Sequence, residues 1–348
     1  MPRTRSSNIA GRPPPPKAGR RSWGRAGRGA GFGRARSACL VAGLALCVGV
    51  STRRAAAQPQ RPSSRPASPG ARLFQPGVSI DWTRRAVYVD GHVVLRRGPL
   101  EFLACLPGKE HESIVRLDAS AVHIYVALGL VGLEPGHPPQ WDERRGRFGP
   151  PAGDLIDLTI EWEDEGRRRT AAGFEWLREF EFARTPIDRP WVFAGSRRLP
   201  DGTLSADRSG EGFAVVDKPD ALLALSRNHV SRDAELWALA HTAGIPPLQT
   251  PVRIVLRPAK ARAHEIRVDF RGAAFVDERY AHPEDVADLI KLARRLSPDY
   301  VQRIRLEGTL RSDEARLQKA LVAAGVSADA WRFVRYNRPS EPRGQEAP

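Results

Sequence analysis

The sequence predicts an α+β fold: a mixed, mainly antiparallel sheet domain with a few helices, followed by a small βαβαβ domain. Three observations carry this. Short apolar runs bounded by Gly and Pro recur through residues 78–260, and the clearest, Leu155-Ile-Asp-Leu-Thr-Ile-Glu-Trp162, alternates with the period of a half-buried strand. One longer apolar stretch, residues 121–132, follows the capping-type residues Asp118-Ala-Ser120 and ends in Gly132 and a Glu134-Pro-Gly136 turn, as a buried helix does. From residue 263 the periodicity restarts and runs strand, helix, strand, helix, strand to Tyr336.

The chain opens on a basic stretch rich in Arg, Gly and Pro, which cannot bury enough apolar surface to fold. The run Cys39-Leu-Val-Ala-Gly-Leu-Ala-Leu-Cys-Val-Gly-Val50 follows, too short for a membrane span and of the length of a signal-peptide core. Ala55 and Ala57 supply the small-x-small pattern of a cleavage site. Residues 1–57 therefore read as a signal peptide with a long basic n-region, cleaved near Ala57, and residues 58–77 as a disordered Pro/Ser/Arg-rich tether. The mature chain is expected to be periplasmic or extracellular, with no transmembrane segment and a partner in the cell envelope.

The same residues explain the charge. The formal +15 is supplied in full by twelve Lys/Arg in residues 1–57 and by Arg61, Arg65 and Arg72, so residues 73–348 balance to zero. A nucleic-acid partner, which needs a basic footprint on the folded domain, is not expected. Cys39 and Cys47 fall in the leader, leaving Cys105 alone in the mature chain, which excludes an intramolecular disulfide and a four-cysteine cluster.

Within residues 78–260 the elements follow in order. Val78-Ser-Ile-Asp-Trp82 and residues 86–95 read as strands, with Asp90-Gly91 as a hairpin signal. Residues 100–106 form a short apolar strand that Pro107-Gly108 turns. The helix of residues 121–132 is apolar on every side and is expected to be covered all round. Residues 170–182 fit a strand or a short helix. Residues 190–196, 212–216 and 251–256 read as strands, and residues 221–224 and 234–243 as helical pieces. In the tail domain, residues 263–336, strands are expected at 264–270, 301–306 and 331–336. Helices are expected at 283–296, started by Pro283, and at 312–324, capped by Ser312 and ended by Gly325. This arrangement gives a three-stranded sheet with helices on one face. Residues 337–348 are polar and expected to be disordered.

Several of these pieces together resemble the YdjY-domain family of bacterial proteins. They are Arg97-Gly-Pro-Leu-Glu-Phe-Leu-Ala-Cys105, Lys109-Glu-His-Glu-Ser-Ile-Val115, Gly132-Leu-Glu-Pro-Gly136, Trp191-Val-Phe-Ala-Gly-Ser196 and Pro251-Val-Arg-Ile-Val-Leu256. The resemblance spans about residues 78–260. It implies an exported domain whose biochemical role is unknown. A ferredoxin-like label carried by some members needs cysteines this chain lacks. The chain departs from the family in the helix Val122-His-Ile-Tyr-Val-Ala, where an alanine-rich histidine helix is expected, and after Ser196, where it is shorter and more basic.

The candidate chemistry centres on residues 105–137. Cys105, His111, Glu112 and His123 are metal-competent types, with His137 nearby, although no His-Glu-x-x-His or paired Cys-x-x-Cys spacing occurs. His111, Glu112 and Ser113 follow the Pro107-Gly108 turn and are expected to line a ligand cleft. The bland reading gives Glu110 and Glu112 to solvent, His111 to a loop hydrogen bond and Cys105 to the core. Ser113 and Ser196 lack a nucleophile elbow. Asp157, Glu161 and Glu163 share one strand face and read as solvated. Trp162, Phe174, Trp176, Trp191 and Phe193 read as the core of a sandwich. The basic Arg167-Arg-Arg169 run lies beside the acidic residues 161–165, which suggests local charge balance. The favoured function is a non-catalytic binding or structural module of the cell envelope. The alternative is a metal-dependent protein or enzyme using the Cys105–His137 region. The cofactor is unknown from the sequence.

Overall fold

The computed structural model describes residues 70–229 and 236–336. The expected signal peptide, the tether up to residue 69 and the tail after Tyr336 lie outside the described residues. The described chain is mostly sheet with few helices, α1 (Ala121–Leu130), α2 (Ser205–Ser209), α3 (Pro283–Leu296) and α4 (Arg311–Ala323). Among these residues no helix is long and apolar enough to cross a membrane.

The alternating runs close into a barrel rather than a sandwich. Its eight strands are β1 (Ala86–Val93), β2 (Phe102–Cys105), β3 (Ser113–Leu117), β4 (Leu155–Asp164), β5 (Trp191–Val192), β6 (Phe213–Ala214), β7 (Leu223–Leu225) and β8 (Pro251–Pro258). Around the barrel the order is β1-β8-β4-β5-β7-β6-β2-β3, and β3 pairs back onto β1. The pairs β2–β3 and β6–β7 are parallel; the others are antiparallel. Closure removes the exposed edges of an open sheet.

The long strand β1 makes closure possible. Val87 to His92 pair with β8 along one edge. The other edge is divided, Ala86 to Val89 going to the strand Val78–Asp81 and Gly91 to Val93 going to β3. The expected hairpin at Asp90-Gly91 is therefore wrong: both residues sit inside the ladder. Gly91 is needed for close approach, since a Cβ there would lie 2.6 Å from the Arg116 carbonyl oxygen. Part of the expected tether is also ordered, because Arg72–Gln75 is a strand paired with Val78–Asp81.

Inside, Val87, Val89, Leu158, Ile160, Ile254 and Leu256 meet Phe174, Trp176 and Trp191 in one core. Burying each such side chain stabilises the fold by about 1.5–3 kcal/mol. On the other face Tyr88 and Val255 pack together with Ala71. Burial on both faces is why these strands read as continuous apolar runs.

Helix α1 turns Ile124, Ala127 and Leu128 into the same core. It is not covered all round, since Val126 and Leu130 are 41% and 49% exposed. Ser120 holds the N-cap position, as expected, but its side chain makes no capping bond. The cap is Asp207 of α2, whose carboxylate accepts the Ala121 and Val122 amides at 2.6 and 3.2 Å. The C-terminus does follow the sequence: Gly132 takes φ +80° and the Leu133 amide donates back to the Leu128 carbonyl at 3.1 Å.

Three short apolar runs change type. Of residues 221–224, expected helical, Leu223 and Ala224 belong to β7. Residues 234–243, expected as one helix, contain the strand Ala238–Ala240, which pairs with Leu177–Glu179; residues 234 and 235 lie outside the described residues. Residues 170–182 split into the end of a strand, a 3-10 turn and a second strand. In each case long-range pairing decides, which local propensity cannot see.

The tail sheet has five strands, not three. These are β9 (Ile266–Val268), β10 (Ala274–Val276), β11 (Arg279–Ala281), β12 (Gln302–Glu307) and β13 (Trp331–Tyr336), in the order β11-β10-β9-β12-β13. The unexpected pair β10 and β11 forms an antiparallel hairpin. Helix α3 spans the expected residues, whereas Ser312 sits inside α4 rather than capping it. A separate apolar core joins Val286, Ile290, Ile304 and Leu321, and Ile187 from the segment before β5 is buried in it.

Candidate functional site

The site grows from that segment. Arg189 stands two residues before β5, and Arg227, Asn228 and His229 leave the end of β7. Asp285 lies in the first turn of α3, where its carboxylate accepts the His282 amide at 3.1 Å. All five line one cavity of about 430 Å³, walled by Phe174, Phe182 and Trp237.

Its charged lining balances formally, Arg184, Arg189 and Arg227 against Glu179, Glu181 and Asp285, but the arginines are unevenly paired. Arg227 Nη1 and Arg189 Nη2 both donate to Oδ1 of Asp285, at 2.5 and 3.5 Å. The second distance is at the limit of a hydrogen bond. The Arg189 side chain is 9% exposed, and its Nη1 is buried without a hydrogen-bond partner. Burial lowers the Arg189 pKa and Asp285 opposes the shift. The nearby Asp288 is taken by Lys291 at 2.9 Å. Arg184, also in the lining, is matched by Glu179 at 2.7 Å.

His229 adds no charge. Burial, with Arg189 and Arg227 beside it, holds its pKa down to about 3, against a smaller opposing pull from Asp285. Its ring stacks on Trp237 at 4.4 Å, and the Trp237 indole N–H is fixed to the Val215 carbonyl at 2.7 Å. A neutral imidazole is thus held flat beside two cations.

Asn228 and His229 also line a second cavity of about 430 Å³, together with Asp217 and the hairpin Trp141–Asp142/Arg147–Phe148. Asn228 Nδ2 donates to Asp217 Oδ1 at 2.9 Å and to the Gly149 carbonyl at 3.0 Å. Asp217 is 7% exposed. Burial pushes its pKa up to about 6, with the Asn228 side chain and the His229 backbone amide opposing. Two strongly shifted groups in adjoining cavities mark this region as the candidate site.

The residues expected from sequence sit elsewhere. Cys105 is fully buried at the end of β2, where burial pushes its thiol up to about 11 against a hydrogen bond with Ser113. Ser113 is also fully buried, and its hydroxyl donates to the Val115 carbonyl at 3.0 Å. Glu112 accepts Lys109 at 2.8 Å; burial pushes its pKa up, but Lys109 outweighs burial and holds it below the usual range. Glu112 also meets Glu101, which pairs with Lys218 and is raised by burial. His111 is 74% exposed, 3.8 Å from Glu112. His123 is half-buried on α1, and His137 stands 3.0 Å from the Pro138 carbonyl oxygen. So the structure brings Cys105 to Ser113, and Glu112 to Lys109 and Glu101. Among the described residues no three His, Cys, Asp or Glu side chains are placed to share a metal ion. Ser196 accepts the Ala206 amide at 3.0 Å and caps α2.

Sequence reasoning missed Arg189, Asp217, Arg227, His229 and Asp285. One local signal pointed there: the polar run Ser226-Arg-Asn-His229 directly after an apolar run, the pattern of a loop leaving a strand.

A family model, YdjY domain, matches residues 78–257, just over half the chain. Neither a curated protein nor a solved structure matches it. Arg189, Asp217, Arg227 and His229 fall inside the matched residues, and Asp285 outside them. By this match the chain belongs to the YdjY domain family.

Proposed function

We propose that the chain is an exported binding module of the cell envelope that takes a small organic anion in the Arg189–His229 cavity. One observation carries the reading: two buried or half-buried guanidiniums share a single oxygen of one carboxylate. A buried cation that is incompletely paired is costly, and a bound anion offsets that cost. The neutral His229 leaves the charge uncorrected, and guanidinium is the group that best matches a carboxylate. The walls Phe174, Phe182 and Trp237 favour a carboxylate with an apolar body. The described lining brings no serine, cysteine or lysine nucleophile to the arginines, which supports binding rather than covalent catalysis.

Thermal unfolding of the purified protein with added benzoate tests this. Benzoate raises the transition temperature of the parent, and Arg227→Gln removes that rise. An unchanged temperature in the parent would end the reading.

The leader pattern supports export, and mass spectrometry of the secreted fraction should find an N-terminus near Gln58. An intact chain in the cytosol contradicts export. The separate apolar cores support two folding units divided between residues 258 and 263. Limited proteolysis yielding no stable fragment of either size would refute that division. The metal-dependent alternative in the Cys105–His137 region has no supporting contact among the described residues.

A further inference from the structure

We infer that the two cavities flanking Asn228 and His229 form one bipartite site, and that its ligand is a zwitterion, with its carboxylate on Arg189 and Arg227 and its ammonium group on Asp217. The inference rests on the anion reading above and adds the other end of the ligand.

On the second cavity it is Asp217 that lacks a cationic partner among the described residues. Asp217 receives the Asn228 amide and the His229 backbone amide, and no cationic side chain bonds it among the described residues. The adjacent Lys218 is committed to Glu101. The hairpin sets Trp141 and Phe148 edge to face, with ring centres 5.4 Å apart, on the same cavity. A carboxylate beside aromatic rings is the donor set for an ammonium group, which the carboxylate binds by charge-assisted hydrogen bonds and the ring faces attract. Arg145 and Arg147 also line this cavity. Arg145 pairs with Asp142 at 3.5 Å, and both arginines are exposed, so solvent screens them. Asp217 is ionised above about pH 6 and carries its charge at neutral pH.

An incompletely paired arginine thus faces one cavity, and a carboxylate bonded by no cationic side chain among the described residues faces the other, with the same two residues lining both. A simple anion compensates only the arginines, and a simple amine only Asp217. A molecule with both charges, extended past Asn228 and His229, compensates both. Because two residues intervene, the two charges belong on opposite ends of the ligand rather than on adjacent atoms.

The test compares plain and ω-amino carboxylates of equal chain length, from butanoate and 4-aminobutanoate to octanoate and 8-aminooctanoate. Each is titrated calorimetrically into the purified protein at pH 7.5. At least one ω-amino acid should bind tenfold or more tightly than its plain partner. In Asp217→Asn that ratio should fall to about one, as expected when a charge-assisted bond is lost. Trp141→Leu, at a half-exposed position, should reduce the same ratio and serves if Asp217→Asn does not fold. No gain at any length, or a gain kept in both variants, overturns the bipartite site while plain carboxylates still bind. If plain carboxylates fail to bind the parent at every length, the anion reading falls and this inference falls with it.

Discussion

Arg189 and Arg227 converge on one atom, Oδ1 of Asp285, from the same end of the antiparallel β5–β7 pair, where Trp191 lies opposite Leu225. The same carboxylate caps α3 through the His282 amide. One anion therefore serves a helix terminus and two guanidiniums, and Arg189 Nη1 is left without a hydrogen-bond partner.

That incomplete pairing sets an expectation for stability. Replacing a poorly paired buried ion by an apolar residue of similar volume is often neutral or stabilising. Arg189→Met should keep or raise the midpoint of urea unfolding. A loss of about 3–5 kcal/mol, the cost of breaking a well-made buried pair, would show that Arg189 is structural.

Asp217 and His229 should leave opposite marks on the pH dependence of stability. The folded Asp217 pKa, about 6, lies above the ordinary value of about 3.9, so between these values the folded state holds the extra proton and stability falls as pH rises. The folded His229 pKa, about 3, lies below the ordinary value of about 6.5, so between these the unfolded state holds the extra proton and stability rises with pH. From about pH 4 to 6 the two nearly cancel. Relative to the parent, Asp217→Asn should steepen the rise towards about 1.4 kcal/mol per pH unit, and His229→Gln should shift the slope by a similar amount the other way. Urea unfolding across pH 4–6 reads both, and parallel curves for all three proteins would refute the assignment.

Cys105 should be inert in the folded protein. Its thiol is fully buried and raised to about 11, and the thiolate is the reactive form. Iodoacetamide at pH 7.5 should label Cys105 of the purified protein only in denaturant. Rapid labelling of Cys105 in the folded chain would show that the β2–β3 end opens.

Leu128 should matter as core although half of α1 faces outward. It is fully buried beneath the helix. Leu128→Ala should cost about 2–5 kcal/mol in chemical unfolding. A near-neutral result would mean that α1 does not pack as described.

Much of the fold was legible. The strand of residues 155–162, the helices at 121 and 283, and the Gly132 and Gly325 stops follow from periodicity and backbone preference, which are local. Barrel closure was not, because it depends on which strand Gly91 lies against, and Asp90-Gly91 carries the same letters as a turn. The Asp207 cap on α1 joins residues 86 apart and leaves no trace near Ser120. The site failed for the same reason. His111, Glu112 and Cys105 were conspicuous by type and proximity in sequence, yet one is exposed, one is paired with Lys109 and one is core. Arg189, Arg227 and Asp285 are ordinary letters whose meaning comes only from sharing an oxygen atom across a span of 96 residues.

The central claim is that this shared carboxylate leaves room for an anion. Calorimetric titration of benzoate into the purified protein and into its Arg189→Met variant tests it most directly. The account requires millimolar or tighter binding to the parent, about −4 kcal/mol or better, and no measurable heat with the variant. Equal binding to both proteins, or none to the parent, would contradict it.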